Sequence, residues 1–259
     1  MSEFLQRASH RMHFRVDGPQ NAPALVFSNS LGTDLHMWDA QAEALAEDFR
    51  VIRYDRRGHG ASTAAQAPFT IGDLGGDVLA LLDHLNVERA HFCGLSIGGL
   101  VGQWLGIYAA DRLATLTVCA TAARIGTTES WHERAELVRR EGLGVLWDAT
   151  VERWFGPSYV AAHGSVIDRL GDTFVRGSAQ GYAQCCEALA QADFRDDLAK
   201  IAVPVLCVSG DDDPVCTPAD LLHIASSVAH GRHVSVPGRH ICNIESAPAF
   251  NAALVQFAK

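Results

Sequence analysis

Short apolar runs alternate along the chain with longer amphipathic stretches. Six runs have the length and composition of buried strands, at residues 24–28, 51–54, 90–93, 116–120, 205–209 and 233–236. Helical spacing of apolar residues predicts helices at 37–46, 71–85, 100–109, 219–228 and 247–257. Short buried strands separated by helices are typical of a parallel sheet covered by helices on both faces. An alternating stretch at residues 12–16 is compatible with an antiparallel edge strand of a hairpin.

Residues 122–198 interrupt this alternation. They contain several helical patterns and no convincing strand run, and they hold three of the five tryptophans, Trp131, Trp147 and Trp154. A helical insertion on a loop tip leaves the order of a sheet unchanged. We therefore predict an α/β core domain formed by residues 1–121 and 199–259, with a helical cap at 122–198.

A candidate nucleophile lies between a predicted strand and a predicted helix. Gly94-Leu95-Ser96-Ile97-Gly98 has the form G-x-S-x-G, and an apolar strand ends just before it. The small flanking residues allow a sharp turn that lifts the serine hydroxyl above the sheet, at a helix N-terminus that favours developing negative charge. The alternative is a glycine-rich turn with an incidental serine, but the strand–turn–helix context favours a nucleophile.

A nucleophilic serine needs a base and a carboxylate that orients the base. In this architecture both are expected after the serine, at the ends of later strands, with the acid first. Asp213 follows the predicted strand 205–209 and His240 follows 233–236, so the order is satisfied. Asp213 is preferred over its neighbours because Pro214 fixes the adjacent backbone. The other candidates are Asp211 and Asp212 for the acid, and His36, His59, His132 and His163 for the base.

The chain as a whole resembles proteins of the α/β-hydrolase fold, and more closely the 3-oxoadipate enol-lactonases. The similar segments extend over nearly the whole chain and lie at residues 29–33, 36–38, 54–62, 70–74, 91–104, 121–126, 153–155, 213–215 and 240–245. The resemblance implies a triad of Ser96, Asp213 and His240. It also implies an oxyanion hole formed by the backbone N–H groups of Leu31 and Ile97.

The family's substrate is a five-membered enol-lactone that carries an acetate side chain. This implies a small anionic lactone as the partner molecule and a cation in the pocket to bind its carboxylate. Arg124 is the candidate, because it lies where the chain leaves the strand 116–120, and a guanidinium can bind a carboxylate through two hydrogen bonds. Trp131, Trp147 and Trp154 are candidates for lining the pocket.

Composition and charge exclude several other classes. The 259 residues carry a formal charge of −9, which argues against binding to nucleic acid or to an anionic membrane surface. No charged residue occurs at 92–110, but five glycines make this segment a buried strand, turn and helix rather than a membrane span. The histidines lack the spacing of a metal site, and no cofactor is expected. Seven cysteines without a paired framework, and an N-terminal segment without a signal-peptide core, predict a cytoplasmic protein.

Three other functions remain compatible with this pattern. A general carboxylesterase and a carbon–carbon bond hydrolase of the same fold would keep the same order of serine, acid and histidine. A ligand-binding receptor of this fold is the non-enzymatic alternative, although such proteins can lose a triad member and here all three positions are occupied. A dehalogenase is disfavoured because the turn holds serine rather than aspartate.

Overall fold

One eight-stranded sheet organises the computed structural model, which describes residues 2–258. The strands are β1 (Ser2–Gln6), β2 (Arg11–Asp17), β3 (Ala24–Ser28), β4 (Arg50–Tyr54), β5 (Ala90–Leu95), β6 (Leu113–Cys119), β7 (Val205–Gly210) and β8 (Gly231–Val236). Their order in the sheet is β1-β2-β4-β3-β5-β6-β7-β8. β2 is antiparallel to both β1 and β4, and all other neighbours are parallel. The predicted mostly parallel sheet is confirmed.

The antiparallel margin differs in detail from the expectation. The stretch 12–16 does form a strand of a hairpin, but β2 lies inside the sheet because β1 pairs with its outer side. β1 was not predicted. Its five residues are too few and too polar to form a clear pattern, and its Phe4 remains 43% exposed. Its identity as a strand depends on pairing with β2 rather than on burial.

Helices cover both faces of the sheet. They are α1 (Asp39–Leu45), α2 (Ile71–His84), α3 (Ile97–Tyr108), α4 (Thr128–Glu141), α5 (Trp147–Trp154), α6 (Pro157–Ala162), α7 (Gly164–Val175), α8 (Ala179–Gln191), α9 (Pro218–Ser227), α10 (Cys242–Glu245) and α11 (Ala247–Ala258). Every residue of β3 and β7 is buried. Successive side chains of a strand face opposite sides, so both faces of the central sheet are covered, and this core holds the ends of its strands in fixed positions.

Helices α4 to α8 all lie between β6 and β7 in the chain, as the tryptophan-rich segment predicted. α4 and α8 pack against each other, and Arg139 on α4 forms an ion pair with Glu187 on α8 at 2.7 Å. We refer to α4–α8 as the helical insertion; the domain bounds 122–198 stay a prediction. Within residues 2–258 every helix is too short or too polar to cross a lipid bilayer.

Buried charged groups hold the loop that follows β4. Arg57 donates a hydrogen bond to the Asp77 carboxylate at 2.9 Å, and Nδ1 of His59 lies 3.1 Å from the Arg57 carbonyl oxygen, to which it donates. His59 is only 6% exposed. Burial in the first place, and the nearby Arg56 guanidinium in the second, lower the pKa of His59 to about 4. The imidazole is therefore neutral over the physiological range.

This histidine makes the stability of the fold depend on pH. The pKa of His59 falls from 6.5 to about 4 on folding, so the unfolded chain takes up this proton first as the pH decreases. The contribution of the neutral His59 to the free energy of unfolding is complete above pH 6.5 and is lost as the pH falls toward 4. In a His59→Gln variant, we expect the free energy of unfolding to change with pH less steeply in this window, by up to about 1.4 kcal/mol per pH unit. Urea titrations from pH 4.5 to 7 measure both slopes; equal slopes would contradict the prediction.

Candidate active site

A sharp turn between β5 and α3 presents Ser96. β5 ends at Leu95 and α3 begins at Ile97. Ser96 between them has φ 59° and ψ −119°, a backbone conformation that residues other than glycine rarely adopt. The flanking glycines permit this close approach. A Cβ atom on Gly94 would collide with the carbonyl oxygen of Gly98, and one on Gly98 would collide with the backbone of Ser28. The G-x-S-x-G spacing is therefore a steric requirement of the turn.

Hydrogen bonds hold the Ser96 backbone in this conformation. Its N–H donates to the Cys119 carbonyl at the end of β6, at 2.9 Å. Its carbonyl accepts from the Thr121 hydroxyl at 2.8 Å and from the Gly99 N–H at 2.8 Å. The Ser96 residue itself is 7% exposed. These bonds link the turn to the neighbouring strand, so the hydroxyl is carried by a rigid part of the sheet.

Asp213 and His240 meet beyond the ends of β7 and β8. The Oδ2 atom of Asp213 lies 2.9 Å from Nδ1 of His240, and both side chains are almost completely buried. The other carboxylate oxygen, Oδ1, accepts from the N–H groups of Val215 at 2.8 Å and Cys216 at 3.2 Å. Because a carboxylate only accepts, Nδ1 of His240 carries a proton, and in the neutral imidazole Nε2 keeps its lone pair. This tautomer is the one that a general base requires.

The loop that carries His240 is attached to the helical insertion. The His240 N–H donates to the Arg153 carbonyl at 3.4 Å, and the Ile241 N–H donates to the Trp154 carbonyl at 3.1 Å. These acceptors are among the last carbonyls of α5, which have no partner within their own helix. Glu245 adds a second connection, since it accepts from the N–H groups of Arg239 at 2.7 Å and Gly156 at 2.9 Å.

Ser96 and His240 line the same cavity, which lies between the sheet and the helical insertion and has a volume of about 50 Å³. Three other residues singled out from the sequence, Leu31, Trp131 and Trp154, also line it. The remaining lining residues are Ser30, Ile125, Arg134, Thr150, Arg153, Phe174, Tyr182, Leu189 and Val215. We call this space the catalytic cavity. Most of its lining away from the serine comes from the insertion, so the insertion determines which molecules fit.

Two backbone N–H groups near Ser96 have no acceptor in the part of the chain that the structure describes. Within residues 2–258 neither the N–H of Leu31 nor that of Ile97 forms a hydrogen bond, although Leu31 is 8% exposed and Ile97 is fully buried. Buried unpaired N–H donors are rare and costly. Both belong to residues that adjoin the catalytic cavity or Ser96 itself, so they are available to a negatively charged oxygen that forms there.

Two of the predicted binding residues lie elsewhere. Arg124 does not line the catalytic cavity: its guanidinium lies 3.7 Å from the Asp193 carboxylate and 3.4 Å from the Thr128 hydroxyl, and its side chain is 35% exposed. Trp147 packs behind the lining, edge-on to Trp154 with ring centroids 5.9 Å apart. Arg124 thus faces Asp193 and Thr128 outside the cavity, and Trp147 supports a lining residue instead of being one.

The cations that do line the cavity are Arg134 on α4 and Arg153 on α5. Arg134 contacts the Tyr182 hydroxyl at 3.4 Å, and Arg153 donates to the Thr150 hydroxyl at 3.2 Å. Neither guanidinium has a carboxylate within ion-pairing distance in the described part of the chain. Burial, followed by the neighbouring Arg134, lowers the pKa of Arg153. Two like charges in one cavity without a counter-ion favour an anionic ligand.

The sequence contains a signal for these two arginines. Arg134 follows Trp131 by three residues, so both lie on one face of α4. Arg153 is adjacent to Trp154 within one of the segments that carries the family resemblance.

The other histidines and aspartates considered for the triad have different positions. None of the four remaining candidate histidines lines the catalytic cavity: His36, His59, His132 and His163. Asp211 bonds to the Ser235 hydroxyl and Asp212 to the Arg239 guanidinium, so neither neighbour of Asp213 reaches His240 in the described structure.

Comparison with known proteins identifies the class first. The family model of the alpha/beta hydrolase fold matches residues 23–153, which include β3 to β6 and the turn at Ser96. The sheet, the turn and this match define an α/β-hydrolase, as the sequence predicted.

More specific relatives share most of the chain. The 3-oxoadipate enol-lactonases 2 and 1 of Acinetobacter baylyi are 44% and 42% identical to it, over 94% and 98% of this chain and 91% and 95% of theirs. The crystal structure of the enol-lactonase from Burkholderia xenovorans LB400 superposes with a TM-score of 0.96 at 46% identity, covering 98% of this chain and 99% of that one. The chain belongs to the 3-oxoadipate enol-lactonase family, and the predicted resemblance is confirmed.

A covalent probe tests the nucleophile without any assumption about the substrate. A fluorophosphonate reacts with serines that an adjacent base activates. We expect one probe molecule per chain, attached to Ser96, and no labelling of a Ser96→Ala variant, as measured by intact-mass and peptide mass spectrometry.

Ser209 provides the matched control, because its hydroxyl also contacts a histidine, with 3.0 Å to Nε2 of His233, but lies outside the cavity. A Ser209→Ala variant should label like the unmodified protein. Labelling that persists in Ser96→Ala would contradict the assignment.

Proposed function

We propose that this protein hydrolyses 3-oxoadipate enol-lactone to 3-oxoadipate. The observation that carries the proposal is that Arg134 and Arg153, which have no carboxylate partner within residues 2–258, line the same cavity as Ser96 and His240. The relatives named 3-oxoadipate enol-lactonase support the substrate. A lactone with one carboxylate matches a cavity that offers a nucleophile and a separate cationic region.

In the first step Ser96 Oγ attacks the lactone carbonyl while Nε2 of His240 takes the hydroxyl proton. Asp213, which accepts from Nδ1 at 2.9 Å, stabilises the imidazolium that forms. The oxygen of the carbonyl becomes an oxyanion and accepts from the free N–H groups of Leu31 and Ile97. A donor of this kind contributes about 2.7–4 kcal/mol to the transition state.

Collapse of the tetrahedral intermediate breaks the ring C–O bond and forms an acyl-enzyme. The leaving group is an enolate, which is more acidic than an alkoxide, and it remains attached to the acyl chain. Tautomerisation to the ketone places the proton that His240 took from Ser96 on the enolate carbon, which removes this internal nucleophile, discourages ring closure and leaves His240 neutral again. Water, deprotonated by His240, then attacks the acyl carbon and releases Ser96.

Arg134 and Arg153 replace Arg124 in the proposed recognition of the substrate carboxylate. Arg124 already interacts with Asp193, whereas the two cavity arginines lack a counter-ion in the described structure. Trp131 lies beneath Arg134, with the guanidinium carbon 5.3 Å from the ring centroid, and so restricts its position. Trp131 and Trp154 are the proposed aromatic wall, and Trp147 supports Trp154.

The proposed reaction also bears on cofactors, on the metabolic role and on the location of the protein. The mechanism needs only water as a co-reactant, so we propose no cofactor and no metal. We also propose a role in the degradation of aromatic compounds through the β-ketoadipate pathway, and a cytoplasmic location, which the seven free and buried cysteines favour. Residues 122–198 are the proposed cap, which closes over a small-molecule substrate rather than a nucleic acid or a membrane.

A direct comparison of two substrates tests the function. We expect kcat/KM for 3-oxoadipate enol-lactone to exceed that for p-nitrophenyl acetate, because only the lactone carries a carboxylate for the two arginines. Loss of enol-lactone absorbance and release of nitrophenolate measure the two reactions. Activity on the neutral ester without activity on the lactone would indicate a carboxylesterase and contradict the proposal.

Methionine substitutions test the carboxylate site while keeping most of each side chain's apolar stem. In Arg134→Met and Arg153→Met we expect KM for the lactone to rise about 10- to 100-fold, the loss of one charge-assisted hydrogen bond. The p-nitrophenyl acetate reaction should change little.

Two further arginines complete this experiment. Arg140 lies on the same helix as Arg134, exposed and paired with Glu141 at 2.8 Å, so Arg140→Met is the matched control. Arg124→Met separates the two assignments. A large rise in KM confined to Arg124→Met would indicate that Arg124 binds the substrate carboxylate, and it would refute the role of Arg134 and Arg153.

A further inference from the structure

A second, smaller cavity lies beside the catalytic cavity, and we call it the side cavity. His59 and Thr33 line it from the core, and Ser178 lines it from the insertion. Its volume of about 10 Å³ is close to the minimum that one water molecule needs. The Phe174 and Tyr182 rings line both cavities and therefore form the partition between them.

His59, which lines the side cavity, carries an unused acceptor in the described structure. Its Nδ1 donates to the Arg57 carbonyl, whereas Nε2 is buried and has no donor within residues 2–258. Because its pKa is lowered to about 4, the imidazole is neutral and Nε2 keeps its lone pair near neutral pH. A buried acceptor without a partner is costly, and a water molecule is the one common donor small enough for this space.

The partition adjoins the loop that carries the proposed oxyanion hole. Gly32, directly after Leu31, has φ +81°, and a Cβ atom there would lie 2.5 Å from the Phe174 ring. The ring thus packs against the backbone of this loop, with Tyr182 next to it at a centroid distance of 5.7 Å. Rotation of these rings would connect the side cavity to the space above Ser96.

The chemistry of a lactone creates a need for such a site. This step rests on the proposed function. When an ordinary ester acylates the serine, its alcohol departs and leaves space for water. A lactone loses nothing on ring opening, because the leaving oxygen remains bonded to the acyl chain. The whole substrate still occupies the catalytic cavity when water has to arrive, so the water needs a separate place.

We propose that the side cavity holds the water that hydrolyses the acyl-enzyme, hydrogen-bonded to Nε2 of His59, and that this water enters between Phe174 and Tyr182. On entry the water oxygen forms a bond to the acyl carbon and gives one proton to Nε2 of His240. The bond from that carbon to Ser96 Oγ then breaks, and Oγ takes the proton from His240. The products are free Ser96 and the ring-opened acid, and His59 acts as a positioning residue.

Two substitutions remove the water in different ways. His59→Phe keeps a ring but deletes the acceptor, and Leu143→Phe enlarges a side chain that lines the side cavity but not the catalytic one. In both we expect kcat for the enol-lactone to fall about tenfold, consistent with loss of one hydrogen bond to the water. Ring-opened acyl-enzyme should accumulate, visible in quenched samples as an adduct with the full mass of the lactone. Hydrolysis of p-nitrophenyl acetate should be unchanged, because nitrophenolate vacates its space.

The controls separate this effect from general damage. Leu146→Phe adds a ring to a buried site of the insertion that lines neither cavity and should leave both reactions unchanged. His59→Gln, which restores an acceptor, should recover part of the lactone turnover. If His59→Phe fails to fold, Leu143→Phe still tests the proposal with His59 in place.

Each remaining outcome counts against the side cavity. Equal losses on both substrates would indicate a structural role, and unchanged lactone turnover in both variants would exclude the side cavity as the water source. If the unmodified protein hydrolyses the ester but not the lactone, the proposed function is wrong and the water proposal falls with it.

Discussion

The strained backbone at Ser96 is the constraint on which the site depends. A non-glycine residue at φ 59° costs about 1–3 kcal/mol and persists only when its surroundings impose it. Here the end of β6 imposes it, through the bond from the Ser96 N–H to the Cys119 carbonyl. The same turn starts α3 at Ile97, so the position of the hydroxyl and that of a free N–H are set together. A change that relaxed the turn would lose both.

Local rules were enough to predict this part of the site. Small residues around Ser96, the apolar run before it and the chain order of Asp213 and His240 are properties of short segments, and the structure joins those two residues at 2.9 Å. β1 was missed because its pairing with β2 is its main support. Arg124 was misplaced for a different reason. Its position along the chain suggested proximity to the cavity, but its side chain points toward Asp193, which is far away in sequence.

The distribution of charge explains why composition alone was a poor guide to the ligand. The chain has a formal charge of −9, yet the catalytic cavity contains two guanidinium groups without a carboxylate partner in the described structure. At physiological ionic strength, charges on the surface are screened beyond about 8 Å. The field inside a partly buried cavity is therefore dominated by its own lining. In the proposed function, two residues of the insertion, Arg134 and Arg153, set the ligand preference inside the cavity, independently of the net charge of the chain.

The connection between α5 and the loop of His240 bears on how such enzymes can diversify. Insertions of this kind are often treated as interchangeable modules placed on a constant core. Here the backbone carbonyls of Arg153 and Trp154 accept hydrogen bonds from His240 and Ile241, and Glu245 spans the same junction. A chimera that imports a foreign insertion without the matching segment 238–245 would separate the general base from its support. The parts that have to be exchanged together are therefore two separate stretches of the chain, the insertion and residues 238–245. Recombination at the ends of the insertion alone would be selected against.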